Sequence, residues 1–130
     1  MKKQYAFSMG LSRGVVVADE QATAFDVAKL MEENDIGAVV ILRGDELVGI
    51  VSERDITRRV VAKKKDGSTI KVSEFMTRDV ITCDFKEGID EIYKKLCEMK
   101  CRHLPIVDKG KLVGIASQRD VLYNLSPRSE

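Results

Sequence analysis

The sequence has few of the residues that build metal centres or hydrolytic active sites. It contains one histidine, His103, and its three cysteines, Cys83, Cys97 and Cys101, form no C-x-x-C pair. One histidine cannot supply a histidine metal cluster, and paired-cysteine zinc sites need a spacing that is absent. Glycine-rich P-loop and dinucleotide fingerprints are missing, and no nucleophile stands beside a positioned base. We therefore expect no enzyme, no metal and no bound cofactor.

A charge excess of one sign and long apolar runs are also missing. The chain has 22 Lys and Arg against 21 Asp and Glu, for a net charge of +1, so nucleic acid is not an expected partner. The start, Met1 to Tyr5, lacks the apolar core of a secretory signal, and no apolar run approaches the roughly 20 residues that span a bilayer. An odd cysteine count suits a reducing compartment, so we expect a cytoplasmic protein without a membrane partner.

What the sequence does contain is a duplication. The segment Val48-Gly49-Ile50-Val51-Ser52-Glu53-Arg54-Asp55 returns as Val113-Gly114-Ile115-Ala116-Ser117-Gln118-Arg119-Asp120, and six of the eight positions are identical. The same offset aligns residues 8–60 with 73–125 without a gap. A single unit of about sixty residues buries too little surface to be stable by itself, so the two copies are expected to form one module.

The predicted domains are a first repeat over 8–62, a linker over 63–72 and a second repeat over 73–125. The charged segment 63–68, with its three lysines, is interpreted as solvated surface. Each repeat reads strand, helix, hairpin, helix. The predicted spans are 14–18, 23–34, 38–42, 47–51 and 53–62 in the first repeat, and 80–83, 89–99, 104–107, 112–116 and 118–125 in the second. Thr23 with Asp26 resembles the start of a helix.

The repeated Ser-x-x-Asp lies where a strand ends and a helix begins, and it admits two interpretations. It is a capping box in the first, with Ser52 and Asp55 satisfying backbone amides. It is a ligand site in the second, because a helix start favours anions and a carboxylate can accept both hydroxyls of a ribose.

Two further features favour a phosphorylated ribose or a nucleotide. Gly49 and Gly114 interrupt strands, which often marks a close approach by ligand or by chain. Arg54 and Arg119 place cations in the first helical turn, where the helix dipole disfavours them unless an anion lies nearby.

Three motifs resemble the CBS domain, the cystathionine β-synthase repeat. Gly-Ile-Val-Ser-Glu-Arg-Asp and Gly-Ile-Ala-Ser-Gln-Arg-Asp resemble its Gly-hydrophobic-x-Ser/Thr-x-x-Asp signature. The run from Arg102 to Asp108 is similar to the strand that reads Leu-Pro-Val-Val-Asp, and Phe75 to Thr82 is similar to the segment that precedes the first strand. The resemblance covers roughly residues 8–125. It implies an α/β (α+β) tandem pair, called a Bateman module, in which two three-stranded sheets pack face to face with flanking helices.

The resemblance also implies up to two adenosine-ligand sites in a cleft between the repeats. In relatives the motif aspartate binds the ribose hydroxyls, which points to Asp55 and Asp120. The motif serine or threonine approaches the phosphate, which points to Ser52 and Ser117.

Other family positions border the base or the phosphate. Backbone near Val16, Ile81 and Pro105 is expected to border the adenine. Arg102 and His103 are candidates for phosphate contact, either in the site of their own repeat or in that of the opposite repeat. For His103, a strand-edge residue with local hydrogen bonds is an equally good interpretation. The first repeat has Gly-Ala-Val-Val at 37–40 where the second has Arg-His-Leu-Pro, so the two sites are expected to be unequal.

The expected function is therefore a stand-alone regulatory sensor of AMP, ADP, ATP or S-adenosylmethionine. Binding would change the packing of the repeats, and a homodimer or an unidentified target protein would receive the signal. The alternative is a structural module with empty clefts that mediates protein–protein association.

Overall fold

The computed structural model of the chain describes residues 3–5, 14–98 and 102–118. Among the described residues, a first compact unit contains Lys3 and Val16–Val80, and the second contains Gln4, Tyr5, Gly14, Val15 and the residues from Ile81 onward. The strands are β1 (Lys3–Tyr5), β2 (Gly14–Asp19), β3 (Ala38–Arg43), β4 (Glu46–Ser52), β5 (Cys83–Asp84), β6 (His103–Asp108) and β7 (Lys111–Ser117). The α-helices are α1 (Ala24–Asn34), α2 (Glu53–Ile56) and α3 (Ile89–Glu98). A π-helical turn, Thr57–Val61, continues α2, and a 3₁₀ turn covers Val72–Glu74.

Each unit is organised around a mixed sheet. In the first, β2 runs parallel to β3, and β3 runs antiparallel to β4. In the second, β5, β6 and β7 repeat this arrangement. Parallel neighbours need a crossover connection, which α1 and α3 supply. The predicted fold class of two small sheets with helices is confirmed, and the first sheet has an additional, unpredicted strand, β1, beside β2.

The duplication extends to the backbone hydrogen bonding of the two hairpins. Ile41 faces Gly49 in the first hairpin, and Ile106 faces Gly114 in the second. Both ladders shift their register immediately after the isoleucine. A one-residue slip in register would turn the side chains of a strand to the opposite face of the sheet. Because the register shifts at the same position in both hairpins, equivalent residues of the two hairpins lie on equivalent faces of their sheets.

The core of the first unit lies between α1 and the sheet. Strand β3 is buried from Ala38 to Leu42, as expected for a β-branched run in the middle of a sheet. Helix α1 packs Ala24, Val27 and Met31 against it. The buried members of this cluster are Ala18, Ala24, Val27, Met31, Val39, Ile41, Val51, Val60, Val72, Phe75 and Met76.

The start of α1 is fixed by the predicted pair Thr23 and Asp26. The Asp26 amide donates to Thr23 Oγ1 at 3.1 Å, and the Thr23 amide donates to Asp26 Oδ2 at 3.0 Å. The first two amides of α1 donate to the polar segment that follows the π-helical turn. The Ala24 amide donates to the Ile70 carbonyl, and the Phe25 amide donates to the Gly67 carbonyl. This segment therefore completes the amino-terminal hydrogen bonds of α1.

Two predicted elements differ in the structure. The strand predicted over 80–83 is wrong in extent, because β5 covers only Cys83–Asp84. Among the described residues β5 pairs only with β6, whereas β2 has neighbours on both sides. The helix predicted over 53–62 begins correctly at Glu53 but widens to a π-helix from Thr57. Apart from Gln118, the predicted helix over 118–125 lies outside the described residues.

Gly49 is required by a close approach of the chain. A Cβ atom built on Gly49 would overlap the thioether of Met76 and lie 3.1 Å from the Thr77 carbonyl oxygen. The segment that carries Met76 is held there by two 3.0 Å hydrogen bonds between the backbones of Ile50 and Thr77. Of the two origins predicted for this glycine, chain and ligand, the structure shows the chain.

Gly49→Ala is therefore expected to destabilise the protein by about 1–3 kcal/mol, because the methyl group has no space without displacing a buried methionine. The change is measured as the free energy of unfolding in urea. Gly67→Ala is the matched control, since its Cβ atom would meet only Ala24 at an ordinary 3.9 Å. Equal stability of the two variants would contradict the packing described for Met76.

Candidate functional site

The repeated Ser-x-x-Asp of the first unit forms a reciprocal cap at the junction of β4 and α2. The Asp55 amide donates to Ser52 Oγ at 3.2 Å, and the Ser52 amide donates to Asp55 Oδ2 at 2.9 Å. The predicted capping box is therefore present. It leaves the carboxylate with further acceptor capacity, because an ionised carboxylate has about four lone-pair sites and the cap uses one. The Asp55 side chain is 14% exposed.

Arg59 is the second partner of Asp55. Its Nε lies 3.8 Å from Asp55 Oδ1, while its Nη1 donates to the Phe75 carbonyl at 2.7 Å and to Thr77 Oγ1 at 3.3 Å. The arginine therefore joins the motif carboxylate to the segment at the end of the first unit.

The second unit repeats the same junction. His103 is directly opposite Ser117 in the β6–β7 ladder, and the Gln118 amide donates to the Arg102 carbonyl at 3.1 Å. The structure thus brings three of the predicted site residues, Arg102, His103 and Ser117, together at the end of the hairpin where the next helix begins. Arg119 and Asp120, the remaining residues predicted for this site, lie outside the described residues.

The first unit has the same backbone arrangement with different side chains. Ala38 is opposite Ser52, and the Glu53 amide donates to the Gly37 carbonyl at 3.0 Å. Gly37 and Ala38 thus occupy the positions that an arginine and a histidine hold in the second unit. The residues whose difference predicted two unequal sites therefore occupy equivalent backbone positions in the two hairpins.

The other predicted site residues have different degrees of burial. Val16 in β2 and Pro105 in β6 are buried. Ile81 is half-buried and precedes β5. Arg54 is exposed in the first turn of α2.

A cluster of Cys83, Glu87 and Lys95 fastens β5 to α3. The Cys83 thiol donates to the Glu87 carboxylate, and Lys95 Nζ lies 3.1 Å from Glu87 Oε2 and 3.1 Å from the Thr82 carbonyl oxygen. Burial, together with the adjacent Glu87, raises the pKa of the Cys83 thiol to about 12. Hydrogen bonds from Cys83 and Lys95 lower the pKa of Glu87. Cys83 is therefore a protonated, inert thiol at neutral pH.

The described residues, 3–5, 14–98 and 102–118, contain no group of three or more His, Cys, Asp or Glu side chains arranged to hold a metal ion. None of the helices in the described part of the chain combines the length and hydropathy needed to cross a membrane.

Comparison with known proteins gives a consistent match. A sequence profile of the CBS domain matches residues 8–62 and again residues 72–127. The uncharacterized protein MK0525 of Methanopyrus kandleri is 37% identical over 112 residues, which are 85% of this chain and 57% of that protein. The CBS domain-containing protein YhcV of Bacillus subtilis is 30% identical over 110 residues, 85% of this chain and 78% of that protein. The chain thus spans little more than half the length of the Methanopyrus relative.

Solved structures with similar folds include a ligand complex and an oligomer. The CBS domain protein PAE2072 of Pyrobaculum aerophilum, in complex with AMP, has a TM-score of 0.79 and 30% identity, covering 88% of this chain and 93% of its own. The hexameric CBS-CP12 protein of bloom-forming cyanobacteria has a TM-score of 0.77 and 29% identity, covering 84% and 64% of the two chains.

Sequence reasoning missed Arg59 as a partner of the motif aspartate. The Asp55–Arg59 spacing of four residues within a predicted helix was a usable signal for the arginine. Nothing in the sequence pairs Met76 with Gly49, because that contact joins segments of different secondary structure.

The Cys83 cluster predicts a loss of stability at alkaline pH. The folded protein keeps the thiol protonated up to about pH 12, whereas an unperturbed cysteine ionises near 9.0. Above pH 9.0 unfolding then releases a proton, so the free energy of unfolding falls by up to about 1.4 kcal/mol per pH unit from this group. We expect the urea midpoint of the wild type to fall more steeply than that of Cys83→Ser, whose hydroxyl does not ionise.

The exposed Cys97 provides the matched control, Cys97→Ser, which retains the buried cluster and therefore the steep alkaline loss. If Cys83→Ser and Cys97→Ser lose stability with the same slope, the cluster does not suppress ionisation of Cys83.

Proposed function

The chain belongs to the CBS-domain family, as the motifs in its sequence predicted, and on that premise we propose that it is a regulatory module that binds an adenosine compound. A CBS-domain pair is a regulatory ligand-binding module. The observation that carries this proposal is the junction of strand and helix, which places a serine and an aspartate at one helix start in the first unit. In the second unit the described part of the junction, at Ser117 and Gln118, has the same backbone pairing. The candidate ligands are AMP, ADP, ATP and S-adenosylmethionine, and a relative with 30% identity is known in complex with AMP.

The first unit supplies the ribose-binding part of the proposal. The cap holds the Asp55 carboxylate in a fixed orientation, and the carboxylate retains acceptor sites for two hydroxyl donors. A vicinal diol offers two such donors. We assign the equivalent role in the second unit to Asp120.

The second unit supplies the phosphate-binding part. Arg102 immediately precedes β6, and His103 is the first residue of β6, opposite Ser117 in β7. Arginine is well suited to phosphate because its planar guanidinium group has several hydrogen-bond donors. Arg54 and Arg119 lie at the helix starts and are further candidates. Backbone near Val16, Ile81 and Pro105 is assigned to the adenine.

Regulation follows if the ligand prefers one arrangement of the repeats, since a ligand shifts an equilibrium only by its differential affinity for the two states. The output is then received by a second copy of the chain or by a target protein. A homodimer is the simplest assembly, and one structural relative is hexameric. We assign the chain to the cytoplasm because the described Cys83 and Cys97 are both free thiols, which suits a reducing compartment.

A structural module with empty clefts is the second candidate. The observation in its favour is that the cap satisfies both Ser52 and Asp55 without any ligand. A thermal-shift screen with AMP, ADP, ATP and S-adenosylmethionine separates the two candidates, because a ligand of the folded state raises the melting temperature by mass action. The absence of any shift favours the structural module.

Replacing the motif aspartates is expected to remove the binding of AMP. Asp55→Asn retains an acceptor for the Ser52 amide while it removes the charge, and each lost hydrogen bond to a charged group costs about 1.5–3 kcal/mol. Each single variant, Asp55→Asn or Asp120→Asn, should therefore lose one site, and the double variant should lose both, in calorimetric titrations. Asp45→Asn in the first hairpin turn is the control. AMP affinity in the double variant equal to that of the wild type would refute the assignment.

The basic pair of the second unit is expected to distinguish AMP from adenosine. Arg102→Gln should weaken AMP about tenfold, the loss of one charge-assisted hydrogen bond, and leave adenosine unchanged. Lys111→Gln, an exposed cation of β7, is the matched control. An equal loss for the two ligands would show that Arg102 does not contact the phosphate.

A further inference from the structure

An open cavity of about 370 Å³ lies in the first unit, and none of the described residues assigned above to the adenosine ligand lines it. Three cationic side chains line it, those of Arg59, Lys63 and Lys65. Apolar side chains of Ile70, Phe75 and Met76 form another part of the lining. Its volume is in the range of small-molecule sites.

The π-helical turn places the two lysines on this cavity. The Ala62 amide donates to the Thr57 carbonyl, and the Lys65 amide donates to the Val60 carbonyl, both at 2.9 Å and both across five residues. Lys64 has a left-handed backbone with a φ of 58° and does not line the cavity. The chain thus reverses so that Lys63 and Lys65, but not the lysine between them, reach the same space. Single-turn π-helices are frequent at functional sites.

The apolar wall is held rigidly. The Met76 amide donates to the Val72 carbonyl at 2.8 Å, and Arg59 Nη1 fixes the Phe75 carbonyl at 2.7 Å. The side chains of Phe75 and Met76 are both about 95% buried, so a ligand would not have to order them. A preformed wall lowers the entropic cost of binding.

The charges around the cavity are unbalanced. Glu74 is the one acidic side chain in the lining, and its Oε2 accepts from the Lys71 amide at 2.9 Å. Arg59 is engaged by Asp55, Phe75 and Thr77. In the part of the chain that the structure describes, neither Lys63 nor Lys65 has an ion-pair partner. A concave surface of one sign with apolar walls concentrates ions of the opposite sign.

We propose that this cavity binds a small phosphate monoester, with Lys63 and Lys65 contacting the phosphate and the half-buried Ile70, beside the few accessible atoms of Phe75 and Met76, contacting its apolar part. The two adjacent ammonium side chains suit a phosphate group. The apolar wall favours a phosphate monoester over inorganic phosphate. The site does not depend on the adenosine ligand of the proposed function.

The test is an NMR titration of the full chain with phenyl phosphate and, separately, with inorganic phosphate. We expect saturable shifts of the amides of Phe75 and Met76 with both probes, and tighter binding of phenyl phosphate. The double variant Lys63→Gln/Lys65→Gln should lose about tenfold in affinity, as expected for charge-assisted contacts to an anion. Lys64→Gln is the matched control and should change affinity by less than about twofold, the effect of a screened surface charge.

The double variant Lys63→Gln/Lys65→Gln also separates this site from the adenosine site, because it should leave the binding of AMP unchanged. Three outcomes would overturn the proposal: shifts that do not saturate, a loss of phenyl phosphate affinity in Lys64→Gln equal to that of the double variant, or an equal loss of AMP and phenyl phosphate affinity in the double variant. Since the substituted lysines are exposed, thermal melting that matches the wild type establishes that each variant is folded.

Discussion

The reciprocal hydrogen bonds of Ser52 and Asp55 are the interaction on which the described site depends. They define the residue at which β4 stops and α2 starts, so they also define where the amino-terminal amides of α2 point. Under the proposed function the same pair of side chains caps the helix and contacts the ligand, so stability and binding would be coupled at this junction. A substitution at either residue is then expected to change both, unless the acceptor is retained.

Arg59 extends that junction to the end of the first unit. It lies one helical turn beyond Asp55 and contacts the backbone of Phe75 and the side chain of Thr77. The backbone of Thr77 is hydrogen-bonded to the backbone of Ile50 in β4. The preceding residue of β4, Gly49, has no side chain, and Met76 occupies the space beside it. The carboxylate, the end of β4 and the segment that leads to the second unit are thus parts of one packed network.

The features that could be predicted from the sequence are those that depend on contacts between residues close together in the chain. The caps at Thr23 and Ser52 and the two hairpins involve residues close in the chain, and the local pattern predicted all of them correctly. The extent of β5 was not predictable in this way, because a strand also needs a partner, and in the part of the chain that the structure describes β5 has one neighbouring strand where β2 has two. The contact of Met76 with Gly49 and the cavity at Lys63 and Lys65 join segments whose proximity appears only in the folded chain.

The difference between the repeats has a physical meaning beyond sequence divergence. At equivalent positions opposite the motif serine, the first unit has Gly37 and Ala38 and the second has Arg102 and His103. The backbone hydrogen bonds there are the same, so the scaffold was retained while the side chains available to a phosphate changed. A ligand that relies on the diol alone would treat the two junctions alike, whereas a ligand that relies on its phosphate would distinguish them. If the proposed ligand is phosphorylated, unequal occupancy of the two repeats would follow from the charge of the ligand and would not require a difference in fold.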